Sequence, residues 1–402
     1  MSVPAVRARR RAPPHRPPVK LQDLWHSASF RAIALQGLVI VLVIGAGAFM
    51  IDNAMVALAK RGISTGFAFL NKEAGFPVGE SLIPFNSEDT YLLAYAAAIL
   101  NTLKVAAFAV VLATLIGTLI GIARLSDNWI VARLAAAYVE LFRNTPQLLQ
   151  IVFWYTLITL LPHPRQAWNP IGDVFLSKRG LALPWPEAHP AWWWMFAAVT
   201  GALVVAVWLG RRAAHQRRMG IRTRISGPWL ASLVVGAPIV VWLIAGAPTA
   251  TSVPAMSTFN IRGGATLSPE FIALLLGLSL YIAAFIAEIV RAGIQSVPRG
   301  QIEAARAIGL SRSHLYRKVI LPQALRVMVP PATAQYVSTI KNSSLGVVIG
   351  YPELFNVSNT IITISGNTIE AIVIMMAVYL TISFTIAALM NWYNHTIRIR
   401  ER

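Results

Sequence analysis

The chain has 402 residues, of which 56% are hydrophobic and only 13% are charged, and its mean hydropathy is +0.60. A soluble domain carries about a quarter charged residues, so this composition excludes an ordinary soluble protein and indicates a membrane protein. The absence of cysteine excludes disulfides and thiolate metal sites. The net charge of +19 is compatible with nucleic-acid binding. The distribution of the charge along the chain therefore decides whether nucleic acid is a candidate ligand.

The first predicted elements are a basic tail and a transmembrane helix. Residues 1–31 are rich in proline and carry seven Lys and Arg against one Asp, which predicts a disordered cytoplasmic tail because such a segment cannot bury a core. Residues 32–51 form an apolar run of 20 residues. This run is longer than the apolar region of a signal peptide, and no convincing cleavage site accompanies it. We therefore interpret it as a retained first span.

An outer loop and a second span follow. Residues 52–90 are predicted to lie on the outer side, and residues 62–70 within them to form an interfacial helix. The apolar stretch 91–122 would be about 48 Å long as a helix, whereas the hydrocarbon core is about 30 Å thick. Its first turns are therefore expected along the outer surface. The span itself is predicted at 102–122, with Lys104 near the outer boundary.

Two motifs mark the second and third spans. Gly117 and Gly121 form a GxxxG pair, which indicates close helix packing. The third span, predicted at 134–161, is broken near Pro146, where a backbone hydrogen bond is lost. A broken polar stretch at membrane depth requires protein or water around it. The alternative is a cytoplasmic helix and turn, followed by a shorter span that starts at Gln147.

The remaining spans complete a predicted all-α integral membrane protein with about eight transmembrane helices. They are predicted at residues 191–209, 228–247, 270–289, 326–349 and 369–390, separated by outer loops at 162–190, 248–269 and 350–368. In this arrangement 26 Lys and Arg lie on one side and 7 in the loops of the other. The positive-inside rule therefore places both termini in the cytoplasm. The net charge then reflects topology and attraction to anionic lipid, not nucleic acid.

A polar segment between the sixth and seventh spans is predicted to form a compact helical hairpin at the inner membrane surface. Pro298 opens its first helix, and Gly309 lies where that helix would stop. Ser311 can N-cap a second helix that runs to Val319 and ends before Pro322. Such a hairpin is suited to contact another molecule, and an ordinary cytoplasmic loop is the alternative.

The spacing within this hairpin resembles the EAA loop of bacterial ABC-transporter permeases. That loop has Glu-Ala-Ala, three residues, Gly, nine residues and Ile-x-Leu-Pro, and the chain departs from it only at Val319, where Ile is usual. The matching residues are Glu303, Ala304, Ala305, Gly309, Leu321 and Pro322. Two further stretches resemble the polar amino-acid (histidine, glutamine and general L-amino-acid) branch of that family: Arg143, Asn144, Thr145 and Pro146 with Gln150, and Lys341, Asn342, Ser343, Ser344 and Leu345.

The resemblance is strongest to the longer permease of general L-amino-acid importers. It implies an ABC importer type I permease domain at 94–391, with an inserted helix pair at about 162–268, after a first helix and outer loop at 32–93 and before a cytoplasmic tail at 392–402. It also implies a multi-pass protein of the bacterial inner membrane that imports L-amino acids. In such a system the EAA loop docks on the ATPase.

The implied partners are an ABC ATPase subunit, a second homologous permease, a periplasmic amino-acid-binding protein, membrane lipid and the amino-acid substrate. The second permease makes a heterodimer the favoured assembly. ATP and Mg²⁺ would bind the ATPase, and no cofactor is expected on this chain. The sequence has no Walker A, HExxH or GxSxG pattern and no metal-ligand spacing of its histidines. We therefore expect a transport subunit without its own ATPase site, a catalytic centre or a metal.

Polar residues inside the predicted spans are candidates for the translocation pathway or its gate. They are Lys341, Asn342, Ser343, Ser344, Arg143, Asn144, Thr145 and Gln150. Lys341 lies about 22 Å along a helix from Arg326, and a charge at such depth is a functional-site hypothesis. Its amine would meet the carboxylate of an amino acid; the alternatives are snorkelling or a structural pair with a carboxylate such as Glu353 or Glu370.

Two other function classes stay open on the residues alone. An ion-coupled secondary transporter would need carboxylates at midmembrane, and the predicted spans contain almost none. A membrane scaffold or channel would keep the spans but gives no reason for the EAA spacing. At the end of the sixth span, Glu288 and Arg291 are three residues apart, and we expect them to form a structural pair on one helix face.

Overall fold

The computed structural model describes residues 28–60, 66–221, 223, 225–257 and 260–397, and the chain divides into two units after Phe67. The described part of the first unit is mainly helix α1, Ala28–Lys60. Its stretch Phe30–Ala54 is long and apolar enough to cross a membrane, as predicted for the first span. Most of the predicted tail and residues 62–65 of the predicted interfacial helix lie outside the described residues. A 3₁₀ turn follows at Phe67–Asn71.

Helices make up most of the second unit. In chain order they are α2 (Tyr91–Ala123), α3 (Trp129–Asn144), α4 (Gln147–Thr159), α5 (Ala191–Arg218), α6 (Gly227–Ile244), α7 (Pro269–Gln295), α8 (Arg299–Ala307), α9 (Arg312–Leu315), α10 (Leu321–Asn342), α11 (Leu354–Ser365) and α12 (Thr368–Ile397). Among the described residues, length and hydropathy select six spanning helices, α1, α2, α5, α6, α7 and α12. The predicted third span is split into two short helices, and α10 contains two prolines and a polar end. The count of eight stays a prediction.

Helix α7 is the centre of the second unit, since α2, α3, α4 and α10 all pack against it. Gly117 and Gly121 allow α2 to approach it closely. A Cβ at Gly117 would lie 2.6 Å from the Cβ of Ile286, and one at Gly121 would lie 2.6 Å from the carbonyl oxygen of Ala287. The prediction that the GxxxG pair marks helix packing is therefore confirmed.

Helix α2 is continuous from Tyr91 to Ala123, so its first turns are not a separate segment, and the start of the span at 102 stays a prediction. Tyr91 and Ala94 in its first turns are buried in one cluster with Leu354 and Ile361 of α11. Packing against protein therefore covers the extra length of this helix. The segment predicted as an outer loop at 350–368 contains that 12-residue helix, which was not predicted, and its place on the outer side stays a prediction.

The inserted region adds small sheets to the helical framework, which the all-α prediction missed. The strands are β1 (Trp168–Ile171), β2 (Val174–Ser177), β3 (Gly180–Leu183), β4 (Trp185–Pro186), β5 (Thr251–Ser252), β6 (Ala255–Met256), β7 (Ile261–Arg262) and β8 (Ala265–Leu267). The largest sheet has the antiparallel order β1-β2-β3-β8, and β4–β5 and β6–β7 form two-stranded pairs. The predicted outer loops at 162–190 and 248–269 thus contribute strands to one sheet. Helices α5 and α6, which lie between these loops in the sequence, pack against each other.

Candidate functional site

The polar hairpin begins with helix α8, whose ends form as the sequence predicts. Pro298 is the N-cap residue, and Gly309 adopts the left-handed conformation with φ +77°. The Gly309 N–H donates to the Arg306 carbonyl oxygen at 2.9 Å, and the Leu310 N–H donates to the Ala305 carbonyl oxygen at 3.1 Å. These two bonds form a Schellman motif, which ends the helix and turns the chain.

The two faces of the hairpin have different surroundings. Ala305 and Leu315 are buried in the same hydrophobic cluster as Ile286 of α7. Glu303 and Ala304 are exposed, and Ile308 is 77% exposed. The inner face is therefore fixed to the core by burial of apolar side chains. The opposite face is exposed and mixed in character, with Glu303 and Arg306 beside Ala304 and Ile308.

The second half of the hairpin differs from the prediction. Ser311 is the N-cap residue of α9, as predicted, but the helix does not end before Pro322. A π-helical turn at Tyr316–Ile320 leads directly into α10, which begins at Leu321 and has Pro322 in its first turn. Proline is tolerated there because first-turn N–H groups need no helical partner, and the wider π turn precedes it. The hairpin therefore continues into α10 without a loop.

A charged cluster joins two helices near the hairpin. The predicted pair of Glu288 and Arg291 is confirmed, and the second carboxylate oxygen of Glu288 binds Arg124 at the end of α2. Arg291 also donates to the side-chain oxygen of Gln295 at 2.6 Å. Arg124 could not be predicted as a partner, because it is 164 residues from Glu288.

The predicted break in the third span lies between α3 and α4, where Thr145 is extended. Gln150 is buried and holds the break together: its Nε2 donates to Thr145 Oγ1 at 2.6 Å and to the Phe142 carbonyl oxygen at 3.0 Å. The Arg143 guanidinium lies 5.1 Å from the centre of the Phe285 ring. Asn144 is exposed. Gln150 therefore satisfies backbone groups that the break frees, which is a structural role.

The end of α10 meets the start of α4. Asn342 Nδ2 donates to Gln147 Oε1 at 2.7 Å, so the two polar stretches are in direct contact. Gln147 was not predicted as a site residue, although it follows Pro146 directly and is buried. Ser343 and Ser344 donate to the carbonyl oxygens of Ile340 and Lys341 at 2.6 and 2.7 Å, so they close the helix end.

Lys341 lines a mostly apolar cavity of about 360 Å³. The other lining residues are Ser344, Phe355, Met375, Met376, Tyr379, Leu380 and Ser383. In the described part of the chain, the Lys341 amine forms no ion pair with Glu353 or Glu370, so the structural pair considered above is not formed. Glu353 is instead fully buried and accepts hydrogen bonds from the N–H groups of Phe355 and Asn356 and from the Tyr379 hydroxyl.

A second polar network, absent from the sequence analysis, lies at the opposite end of α2. Glu80 forms an ion pair with Lys104 and accepts a hydrogen bond from Ser268, the N-cap residue of α7. Asn101 donates to the carbonyl oxygens of Glu80 at 2.7 Å and Pro352 at 2.9 Å. The network therefore ties the outer loop to α2, α7 and the segment before α11. Lys104 is neutralised by a partner and does not simply snorkel.

Comparisons with known proteins agree with these features. Residues 229–399 match the family described as "Binding-protein-dependent transport system inner membrane component". The chain is 46% identical to the putative amino-acid ABC transporter permease protein YhdX of Escherichia coli over 92% of its length and 95% of that protein. It is 42% identical to the general L-amino acid transport system permease protein AapQ of Rhizobium johnstonii, over 95% of this chain and 96% of that one. It is 37% identical to the glutamate/glutamine/aspartate/asparagine transport system permease protein BztB of Rhodobacter capsulatus, over 95% of this chain and 97% of that one.

Proposed function

Because the chain belongs to the inner-membrane permeases of amino-acid ABC transporters, we propose that it imports L-amino acids and that its α8–α9 hairpin is the docking element for a separate ATPase. Membership of this family decides against the ion-coupled secondary transporter and against the scaffold or channel. The observation that carries the docking assignment is the two-sided hairpin, with Ala305 buried and Ile308 77% exposed. A helix that is fixed on one side and exposes a large apolar side chain among charged residues on the other suits a protein partner.

The continuous path from the hairpin into α10 gives docking a mechanical consequence. Lys341 lies about 30 Å along α10 from Leu321, so a small tilt of the hairpin moves Lys341 and Asn342 at the far end. ATP binding would close the ATPase dimer and draw the hairpins of two permeases together. The spans would then open outward and accept an amino acid from the binding protein. ATP hydrolysis would return them to the inward-facing state.

Lys341 is our candidate for contact with the substrate carboxylate. Its amine has no carboxylate partner among the described residues and lies beside an apolar cavity, where a charge interacts more strongly than in water. The contact between Asn342 and Gln147 is our candidate gate, because it joins the moving end of α10 to the broken third span. Thr145 and Gln150 hold that break in shape.

Further partners follow from the same proposal. ATP and Mg²⁺ bind the ATPase and not this chain, in agreement with the missing Walker A pattern. A second, homologous permease completes the pore as a heterodimer. Anionic lipid contacts the basic inner surface, where Arg211 lies 4.7 Å from the centre of the Trp392 ring. The insert with α5 and α6 is an addition to the core at 94–391.

Cysteine crosslinking tests the docking assignment cleanly, because the natural chain has no cysteine. Ala304→Cys places one thiol on the exposed face of the hairpin, and Thr266→Cys places one on the exposed surface of the outer sheet as a matched control. A short thiol-to-amine crosslinker should join Ala304→Cys, but not Thr266→Cys, to the co-purified ATPase. Equal yields, or a crosslink only from Thr266→Cys, would contradict the assignment.

A further inference from the structure

A polar cavity of about 470 Å³ lies where the outer sheet meets the ends of α4 and α7. Several parts of the chain supply its walls. Among the lining residues, Tyr155 and Thr159 come from α4, Lys178 and Arg179 from the β2–β3 turn, and Glu270 from the start of α7. Its volume falls in the range of small-molecule sites, about 300–1,000 Å³. It shares no lining residue with the Lys341 cavity.

The walls of this cavity are held in fixed relation to one another. A Cβ at Gly180 would lie 2.0 Å from the carbonyl oxygen of Leu267, so β3 lies tightly against β8. The residue after Leu267 is Ser268, which caps α7 by accepting a hydrogen bond from the Phe271 N–H at 3.1 Å. The β2–β3 turn is therefore tied to the start of α7. A preformed cavity loses little conformational entropy when a ligand binds.

The charges around the cavity are of both signs and do not neutralise one another. The Glu270 carboxylate accepts a hydrogen bond from the Tyr155 hydroxyl at 3.3 Å. Among the described residues it forms no ion pair with Lys178 or Arg179, both of which are exposed. A ligand with a cationic and an anionic group would therefore satisfy both sides of the cavity at once.

We propose that this cavity binds free α-amino acids at the outer face, with the ammonium group at Glu270 and the carboxylate at Lys178 and Arg179. A small zwitterion matches the two kinds of charge, and its identity as an amino acid rests on the proposed function. The arrangement makes the insert a second binding element, separate from the path along α10. It would hold an amino acid beside the entrance of the permease.

Equilibrium binding of a radiolabelled mixture of proteinogenic L-amino acids tests this site. The intact complex is placed in nanodiscs and washed free of binding protein. Every sample carries Lys341→Ala, so that the measured binding belongs to the outer cavity and not to the Lys341 cavity. Binding should persist in this background. Glu270→Gln should weaken it about tenfold by removing a charge-assisted contact. Thr159→Trp should do the same by filling the cavity without a change of charge. Acetate and methylamine, which each carry one of the two charges, should compete at least about tenfold more weakly.

The outcomes separate this inference from the proposed function. Absence of binding in the Lys341→Ala background, or binding that neither Glu270→Gln nor Thr159→Trp changes, would overturn the cavity assignment. Competition by acetate as strong as that by an amino acid would also overturn it. ATP-driven uptake by the wild-type complex is measured in parallel. Uptake without cavity binding rejects only this inference, whereas loss of ATP-driven uptake rejects the proposed function.

Discussion

Gly309→Ala should weaken the contact between the hairpin and the ATPase without unfolding the chain. Gly309 has φ +77°, and nothing lies within 4 Å of an added Cβ. The methyl group therefore meets no clash, and its whole cost is that of the left-handed conformation, about 1–2 kcal/mol for a residue with a Cβ. A fold with a stability of about 5–15 kcal/mol tolerates this cost.

The strain should appear as a loss of ATPase affinity. A cost of about 1–2 kcal/mol lowers the equilibrium constant for the correctly turned hairpin by a factor of about 5–30, and affinity falls by up to the same factor. Gly309→Asn should lower the ATPase affinity less than Gly309→Ala does, because asparagine adopts the left-handed conformation more readily than alanine. Titration of labelled ATPase into the permease complex in nanodiscs measures these affinities.

Gly300→Ala is the matched control within the same hairpin. Gly300 lies in the first turn of α8 with an ordinary helical backbone, and nothing lies within 4 Å of its added Cβ. Alanine is favoured over glycine inside a helix by up to about 1 kcal/mol, so this variant should keep or raise the affinity. Equal affinities for Gly309→Ala, Gly300→Ala and the wild type would refute the claim that the Schellman turn shapes the docking surface.

Three further predictions concern the helices that the hairpin joins. Lys341→Ala should lower ATP-driven uptake about tenfold through loss of a charged contact, while the affinities for the ATPase and the binding protein persist. Lys341→Arg keeps the charge and should retain uptake. Normal uptake by Lys341→Ala would reject the substrate contact. Asn342→Leu should lower stability by about 1–3 kcal/mol because it leaves the buried Gln147 oxygen without its donor. A double-mutant cycle with Gln147→Leu should show coupling, and additivity would contradict the contact. Gly117→Leu should lower the free energy of unfolding by about 1–3 kcal/mol or more by overpacking against α7. Gly201→Leu is the control, because an added Cβ there has nothing within 4 Å, and it should leave the melting temperature unchanged. Equal losses of stability in the two variants would reject the close packing.

Local signals in the sequence were sufficient for much of the hairpin and for the broken span. Pro298 and Ser311 begin helices and Gly309 ends one, as their backbone preferences predict. Pro146 separates α3 from α4, as expected. The rule that proline ends a helix gave the wrong result at Pro322. The same residue is equally suited to the first turn of a helix, and only the packed structure selects between these two roles.

Long-range pairing could not be predicted from one sequence. Strand β8 joins β3 across two intervening helices, and Asn342 meets Gln147 over 195 residues. Neither contact leaves a periodic pattern in its own segment. Helix α11 is different, because Gly366 after it is a C-cap signal that a search for shorter helices would have found. Its N-cap residue, Glu353, is not a residue type that marks a helix start.

Uptake of radiolabelled L-amino acids into proteoliposomes tests whether the chain imports amino acids at the expense of ATP. The chain is tagged, purified with its partners from its native membrane and reconstituted, with ATP and Mg²⁺ supplied on the side of the hairpin and the amino-acid-binding protein on the other. For ATP-driven import we expect that an ATPase co-purifies and that uptake requires ATP and the binding protein. Uptake driven by an ion gradient without ATP, or purification without an ATPase even after mild crosslinking, would contradict it.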